Sequence, residues 1–248
     1  MLLLALGLLW NLLYWRMFKK RSYQKELLDA PVIEKALLYR NLKELDIINK
    51  RLGGHRISIQ GLRNVLKDKT KTYHIADIGC GGGDSLIAMA KWTKKEKLKA
   101  HFIGIDLQQD CINYAQNTCS GYTEIALTCS DFRTIFTQVE RIDVVHASLF
   151  CHHFTEAEIV EFIRLCSSKG AIFVINDLER NPIAYYSIKV LTKLFSKSPL
   201  VKNDAPLSVL RGFKKAEWAA ILEQAGMKNY IVKNCWAFRH LIIIYPNG

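Results

Sequence analysis

The decapeptide Ile75-Ala76-Asp77-Ile78-Gly79-Cys80-Gly81-Gly82-Gly83-Asp84 constrains this chain more than any other stretch. An apolar run ends in an acid, turns through glycines, and gives way to helical spacing from Ser85 to about Trp92. Such a turn belongs to a βα unit, where glycines permit the tight bend and let a ligand lie against the backbone with no Cβ in the way. From Tyr73 onward, short apolar runs at 73–78, 101–106, 125–128, 142–147 and 171–177 alternate with helix-length connections. That rhythm predicts βα repeats and a mostly parallel sheet. Half of the 248 residues are apolar, enough to bury a sizeable core.

The rhythm changes on both sides of this region. Before it, Leu37, Leu38, Leu42, Leu45 and Ile48 recur at helical spacing, Gly53-Gly54 closes the run, and a second helix is expected over 57–66. After it, Asn181-Pro182 reads as an N-cap with proline at the first helical position. That helix is expected to reach Phe195, with Ala184, Ile188, Leu191 and Phe195 as its apolar side. The polar stretch 196–208, with Pro199 and Pro206, reads as a loop, and a helix at 216–225 stops at Gly226. Runs 230–236 and 238–245 lie too close for a crossover, so they must pair antiparallel at a sheet edge. The chain divides into a hydrophobic-basic segment at 1–21, a helical cap at 22–70, and a main domain at 71–248 with a helical insertion at about 181–213.

The chemistry of the turn narrows the ligand. A dinucleotide fingerprint would place Gly or Ala at position 84, where pyrophosphate meets the helix N-terminus. Asp84 stands there instead, and its carboxylate would repel phosphate but suit a cation. The next strand ends in Asp106, 23 residues after Gly83, placed to hold both hydroxyls of a ribose. A nucleoside without phosphates and with a positive charge fits both acids, and S-adenosylmethionine is such a molecule.

On these residues the chain resembles the class I S-adenosylmethionine-dependent methyltransferases over roughly residues 70–245. Asp77 to Gly83 looks like that family's first motif, which implies Asp77, Gly79, Cys80, Gly81 and Gly83 as cofactor contacts. Ile103-Gly104-Ile105-Asp106 looks like the second, with Asp106 and the following Leu107 at the ribose. Cys129-Ser130-Asp131-Phe132 sits where relatives read adenine, implying Asp131 and Phe132. Asp143 to Ser148 matches the fourth-strand motif, with Ala147 and Ser148 facing the methionine end. The resemblance implies a Rossmann-like α/β fold: a seven-stranded, mostly parallel sheet with a C-terminal antiparallel hairpin and a helical N-terminal cap. His146 to Phe154 and Asn176 to Pro182 are most similar to small bacterial methyltransferases of ubiquinone and menaquinone biosynthesis and to relatives acting on phenols or polyketides. The cap around 21–54 looks like theirs.

In-line methyl transfer is governed by alignment, which supplies about 7–11 kcal/mol. A base adds roughly 10²–10⁴-fold when the nucleophile must lose a proton, as a phenol must. His152 and His153 follow the fourth strand at the ligand-binding edge, ahead of a Thr155/Glu158 capping box. Either is expected to touch the acceptor or act as base, His153 in preference. Asp177 ends the fifth strand on the same edge and is expected to orient substrate or a histidine, against the plainer reading that it or Arg180 caps the next helix. Tyr185 and Tyr186 would roof the pocket by packing, His146 belongs to the cofactor pocket or core, and Arg211 is a candidate for an acidic group. No metal site is expected, because His146, Cys151, His152 and His153 are neighbours whose side chains should diverge.

Charge bears on partners. The net +12 is uneven: residues 1–70 hold 14 basic and 6 acidic groups, whereas 71–248 hold 21 and 17. Residues 1–15 are uncharged and precede Arg16, Lys19, Lys20 and Arg21. A spanning helix wants roughly 20 apolar residues. The segment is read as a membrane contact, a packed helix, or a start preceding a natural Met17. Seven scattered cysteines without a C-x-x-C pair suit a reducing compartment, hence the cytoplasm or the inner face of a membrane. Nucleic-acid methylation is disfavoured: Ser148-Leu149-Phe150-Cys151 lacks the Asn/Asp-Pro-Pro-aromatic signature, and Lys91, Lys94, Lys95, Lys97 and Lys99 read as a solvated helix end. A non-catalytic cofactor-binding protein would need the same glycines and acids but not two histidines. The expected partner is a small-molecule acceptor, and the sequence leaves oligomeric state open.

Overall fold

A computed structural model describes residues 17–247. The leucine-rich stretch 1–16, with its three readings, lies outside the described residues. Two cap helices, α1 (Lys35–Arg51) and α2 (Gly54–Val65), precede the first strand. Gly53 joins them at φ +75°, a conformation glycine adopts without strain. The main domain then runs β1 (Thr72–Ile78), α3 (Asp84–Lys95), β2 (Lys99–Asp106), α4 (Gln109–Thr118), β3 (Ile125–Cys129), a short α5 (Ile135–Gln138) and β4 (Val144–Ser148). It continues through α6 (Glu156–Ser168), β5 (Ile172–Leu178), α7 (Pro182–Phe195), α8 (Pro199–Arg211), α9 (Lys215–Gln224), β6 (Tyr230–Cys235) and β7 (Arg239–Ile244).

The sheet order is β3-β2-β1-β4-β5-β7-β6, with β1 to β5 parallel and β7 antiparallel to both β5 and β6. The chain reverses its direction of travel between β1 and β4, so their C-terminal ends open a crevice, the ligand position of open α/β sheets. Two apolar layers clasp the sheet. Leu62, Met89, Trp92, Val174 and Ile243 fill one face, while Ile163, Phe173, Trp218 and Ile242 fill the other. The inner strands β1, β4, β5 and β7 are buried on both faces, which is why they read as continuous apolar runs, whereas the edge strands β3 and β6 are partly exposed.

Two expectations fail in the insertion. Residues 196–208 are mostly helical, because Ser198 Oγ accepts from Val201 N–H and Pro199 occupies the first turn. Pro206 sits inside this helix, whose Leu200, Val201, Leu207 and Val209 are buried. The expected apolar side of α7 is not uniformly packed: Ala184 is buried, but Leu191 and Phe195 are exposed, Phe195 by 77%. The helix roofs a cavity and does not lie on the core. Its start is as expected, with Asn181 Oδ1 accepting from Ile183 N–H.

Candidate active site

Two cavities lie side by side above the C-terminal ends of β1, β2, β4 and β5. The first, about 470 Å³, follows the glycine turn and carries Asp77, Gly79, Cys80, Gly81, Asp106, Leu107, Phe132, Ser148 and His153 on its walls. The turn must be glycine where it is tightest. Gly79 has φ +63°, and a Cβ there would lie 2.1 Å from the Phe150 ring. Asp106 Oδ2 accepts from Gly81 N–H at 3.0 Å and Oδ1 from Gln108 N–H at 2.9 Å, which fixes the carboxylate at the strand end with lone pairs to spare. Burial, then the Asp77 charge, keep Asp106 above the ordinary carboxylate range despite those bonds. Asp84 sits at the head of α3, where Asn49 Nδ2–H donates to it at 3.1 Å and burial raises its pKa. Burial also pushes the Cys80 thiol up, so it remains protonated.

S-adenosylmethionine fits this donor set. The Asp106 carboxylate, fixed by two backbone N–H groups, is the kind of acceptor pair that two ribose hydroxyls would need. Asp77 Oδ2 is buried with no hydrogen-bond partner among the described residues, an acceptor left over for a cationic amine. Its other oxygen is 2.7 Å from His146 Nδ1, which makes His146 a buried partner of the motif acid. Three expected contacts do not line the cavity. Gly83 shapes the turn at φ +79°, Ala147 is wholly buried between β1 and β5, and Asp131 folds back to accept from Arg133. Phe132, Ser130 and Phe150 stand at that end instead.

The second cavity, about 280 Å³, is lined mainly by apolar side chains of α1, α7, α8 and the β6–β7 turn, among them Leu45, Ile48, Ile188, Leu191 and Trp236. It shares Leu28, Leu45, Leu149 and His153 with the first. Leu149 holds φ +54°, a strained value for a branched side chain, at the point where the cavities meet. Arg239, buried on the wall, donates to Asn49 Oδ1 at 2.8 Å, and burial lowers its pKa to about 10.

The histidines occupy the floor of this second cavity. A single helical turn, Cys151–His153, carries them, and the Thr155/Glu158 capping box starts α6 directly after. His152 Nδ1 lies 2.7 Å from Asp177 Oδ1, and its backbone N–H donates to Asp177 Oδ2 at 2.9 Å. Burial opposes ionisation of Asp177, but the charge and hydrogen bond of His152 hold it below the ordinary carboxylate range. Burial also opposes a charged His152, yet Asp177 and Glu26 push it up to about 9. His153 Nδ1 lies 2.8 Å from Asp29 Oδ1. Asp177 lines neither cavity and meets the site only through its bonds to His152. It does not cap α7, nor does Arg180, which pairs with Glu217 and donates to Phe18 and Gly212 carbonyls.

Sequence reasoning missed Glu26 and Asp29, because the cap brings them to the histidines from more than 120 residues away. The expected divergence of His152 and His153 does not hold: their ring centroids lie 4.3 Å apart with the planes tilted by 34°, and Glu26 lies 3.5 Å from His152 Nε2 through Oε1 and 3.9 Å from His153 Nε2 through Oε2. Arg211 is not available to an acceptor. It donates to the His152 and His153 carbonyls, Gln24 O and Asp29, while Arg21 grips the His152, Phe154 and Arg211 carbonyls. Tyr185 and Tyr186 both pack against Phe18, but the expected core role fails for Tyr186, which is exposed, and Tyr185 is only half-buried.

Known proteins share this organisation. The family described as a methyltransferase domain matches residues 69–226. The ubiquinone biosynthesis O-methyltransferase of Coxiella burnetii is 24% identical over 174 residues, covering 66% of this chain and 70% of that protein. A SAM-dependent methyltransferase from Aquifex aeolicus superposes with a TM-score of 0.58 at 18% identity, over 86% of this chain and 98% of that one. The plantazolicin methyltransferase solved with SAH gives 0.60 at 16% identity, over 86% and 95%. The methyltransferase domain of the citrinin polyketide synthase gives 0.53 at 13% identity over 75% of this chain, which spans half the length of that structure. With the family match covering well over half of its residues, and with the sheet order and glycine turn described above, this chain belongs to the methyltransferase-domain family and is a class I S-adenosylmethionine-dependent methyltransferase.

Proposed function

We propose that the chain methylates a small, largely apolar, hydroxylated acceptor, aromatic or polyketide-like, at oxygen or at an adjacent activated carbon. The observation that carries this reading is the apolar second cavity, which meets the cofactor cavity at Leu149 and His153. Its volume is close to the lower end for small-molecule sites.

S-adenosylmethionine, when bound, supplies a methyl group activated by a sulfonium. The residues proposed to hold it are Asp77, Gly79, Cys80, Gly81, Asp106, Leu107, Phe132 and Ser148, with Gly83, Asp131 and Ala147 shaping the site from behind. The task left to the chain is to hold the acceptor in line, exclude water and take one proton. Asp29 accepts the Nδ1 proton of His153, which leaves Nε2 bare at the cavity boundary as the base. Asp177 fixes His152 in the same way. Leu45, Ile48 and Ile188 give the acceptor a dry wall.

The test is a radiolabelled methyl-transfer assay on catechols, quinols and polyketide phenols beside calorimetric titration with S-adenosylmethionine. Turnover on one of these classes supports the reading, and binding without turnover on all of them counts against it. We also propose peripheral contact with an anionic membrane surface, from which a greasy acceptor would enter. Ile183, Val190, Leu194 and Phe195 are exposed along α7 and interleaved with exposed Lys189, Lys193 and Lys197. Exposed Lys19 and Lys20 flank Phe18, which packs on this same helix. Among the described residues no helix is long and apolar enough to cross a membrane.

A further inference from the structure

We infer that Glu26, His152 and His153 form a divalent-cation site of the His₂-carboxylate type, open to the acceptor cavity. Three independent observations point to it. The first is geometric. Each residue offers a donor atom within 4.8 Å of the others, and the Nε2-to-carboxylate separations are 3.5 and 3.9 Å. Ligands about 2.1 Å from a tetrahedral ion stand about 3.4 Å apart, so small side-chain adjustments would close the set.

The second is orientation. Both histidines spend their Nδ1 proton on a carboxylate, His152 on Asp177 at 2.7 Å and His153 on Asp29 at 2.8 Å. Carboxylate–histidine pairs of this kind fix the tautomer that bares Nε2 and raise its basicity toward a metal. Backbone contacts from Arg21 and Arg211 hold the turn that carries both rings. Ser208 Oγ–H donates to Glu26 Oε1 at 2.9 Å and helps to hold the carboxylate beside the two rings.

The third is charge. Glu26, Asp29 and Asp177 surround the histidines, and among the described residues Arg211 is the arginine paired with these carboxylates; Arg21 reaches only backbone here and is matched by Glu156 at 3.2 Å. Once both Nε2 atoms have given up any proton, as ligation requires, this enclosed group carries two negative charges in excess, and one divalent ion neutralises it. Two imidazoles and a carboxylate favour zinc or a neighbouring transition ion over magnesium or calcium. The fourth position faces the cavity and would take a hydroxyl oxygen. That last clause rests on the proposed acceptor class, and it makes His153 a metal ligand where the metal-free reading makes it the base.

The test is calorimetric titration of the metal-stripped full chain with Zn²⁺ and Co²⁺, read alongside the visible spectrum of bound Co²⁺. One equivalent is expected, with a tetrahedral Co²⁺ spectrum. Glu26→Gln and His153→Gln should each weaken binding roughly tenfold or more; retained S-adenosylmethionine affinity is the check on folding for Glu26→Gln, and an unchanged circular-dichroism spectrum is the check for His153→Gln, because His153 also lines the cofactor cavity. His55→Gln should leave binding unchanged, since His55 belongs to a separate cluster with Asp46 and Asp84. No saturable binding below millimolar ion, binding lost with His55 instead, or binding indifferent to Glu26 and His153 would each overturn the site. Catechol should shift the Co²⁺ spectrum. Methyl transfer that persists in excess chelator would remove the ion from the reaction, yet leave the acceptor reading intact.

Discussion

His152 and Asp177 are joined twice in the buried floor of the acceptor cavity, ring to carboxylate at 2.7 Å and backbone N–H to the same carboxylate at 2.9 Å. One acid therefore sets both the position of the turn and the rotation of the ring. Asp177→Asn keeps the shape but removes the charge and offers an N–H where an acceptor is needed. We expect kcat to fall by about 10–100-fold with cofactor affinity little changed. The buried pair also contributes to stability, so the melting temperature should drop. Steady-state kinetics below that temperature separates the effects, and an unchanged kcat would remove the positioning role.

Asp106 meets two backbone N–H donors and the proposed ribose at once. In Asp106→Asn one end of the side chain becomes a donor facing Gly81 N–H or Gln108 N–H. Loss of charge-assisted bonds is worth about 1.5–3 kcal/mol each, so calorimetry should show S-adenosylmethionine affinity reduced by roughly ten- to a hundredfold.

The same acid gives the cofactor a pH dependence. Burial, and secondarily Asp77, raise Asp106 above the ordinary carboxylate range, and only the ionised form accepts both hydroxyls. A bound cofactor thus favours the deprotonated form. Affinity should be flat near neutrality and fall on acidification, beginning above the usual Asp value of about 3.9. Titrations in a pH series check this, and affinity constant down to that value would contradict it.

Gly79→Ala tests the turn itself. Its Cβ would overlap the Phe150 ring in a left-handed conformation. A destabilisation of about 1–3 kcal/mol is expected, with weaker cofactor binding because Phe150 lines that cavity. Chemical denaturation with and without cofactor measures both.

Leu194→Asp with Phe195→Asp places two charges on the exposed side of α7. Co-sedimentation with anionic vesicles should fall several-fold, while turnover of a water-soluble acceptor stays the same. Equal binding by the substituted and native chains would place any membrane contact elsewhere.

Much of the cofactor half was legible in the sequence because its determinants are local. The glycine turn, the acid closing β2 and the short β6–β7 connection each lie within a few residues, and each dictates one geometry. The acceptor half was not, for two physical reasons. Glu26 and Asp29 reach His152 and His153 only through the packing of the cap, which no spacing encodes. The stretch 196–208 looked like a loop because prolines normally break helices. Yet Ser198-Pro199 is also a helix start, and burial of Leu200, Val201 and Leu207 offsets the break at Pro206. Asp131 matched a motif by position, but the neighbouring Arg133 captured its side chain.

Arg21 and Arg211, 190 residues apart, close on the same turn between β4 and α6. This stitches three remote parts of the chain into one knot, so the two cavities should mature at different times. Strands β1 to β5 can collapse around the glycine turn through nearby contacts, whereas the acceptor chamber must await the ends of the chain closing their longest loops. Partly assembled molecules would then hold cofactor with nothing to methylate. The last step of folding, and the first region to open under stress, should be the gateway through which the acceptor arrives.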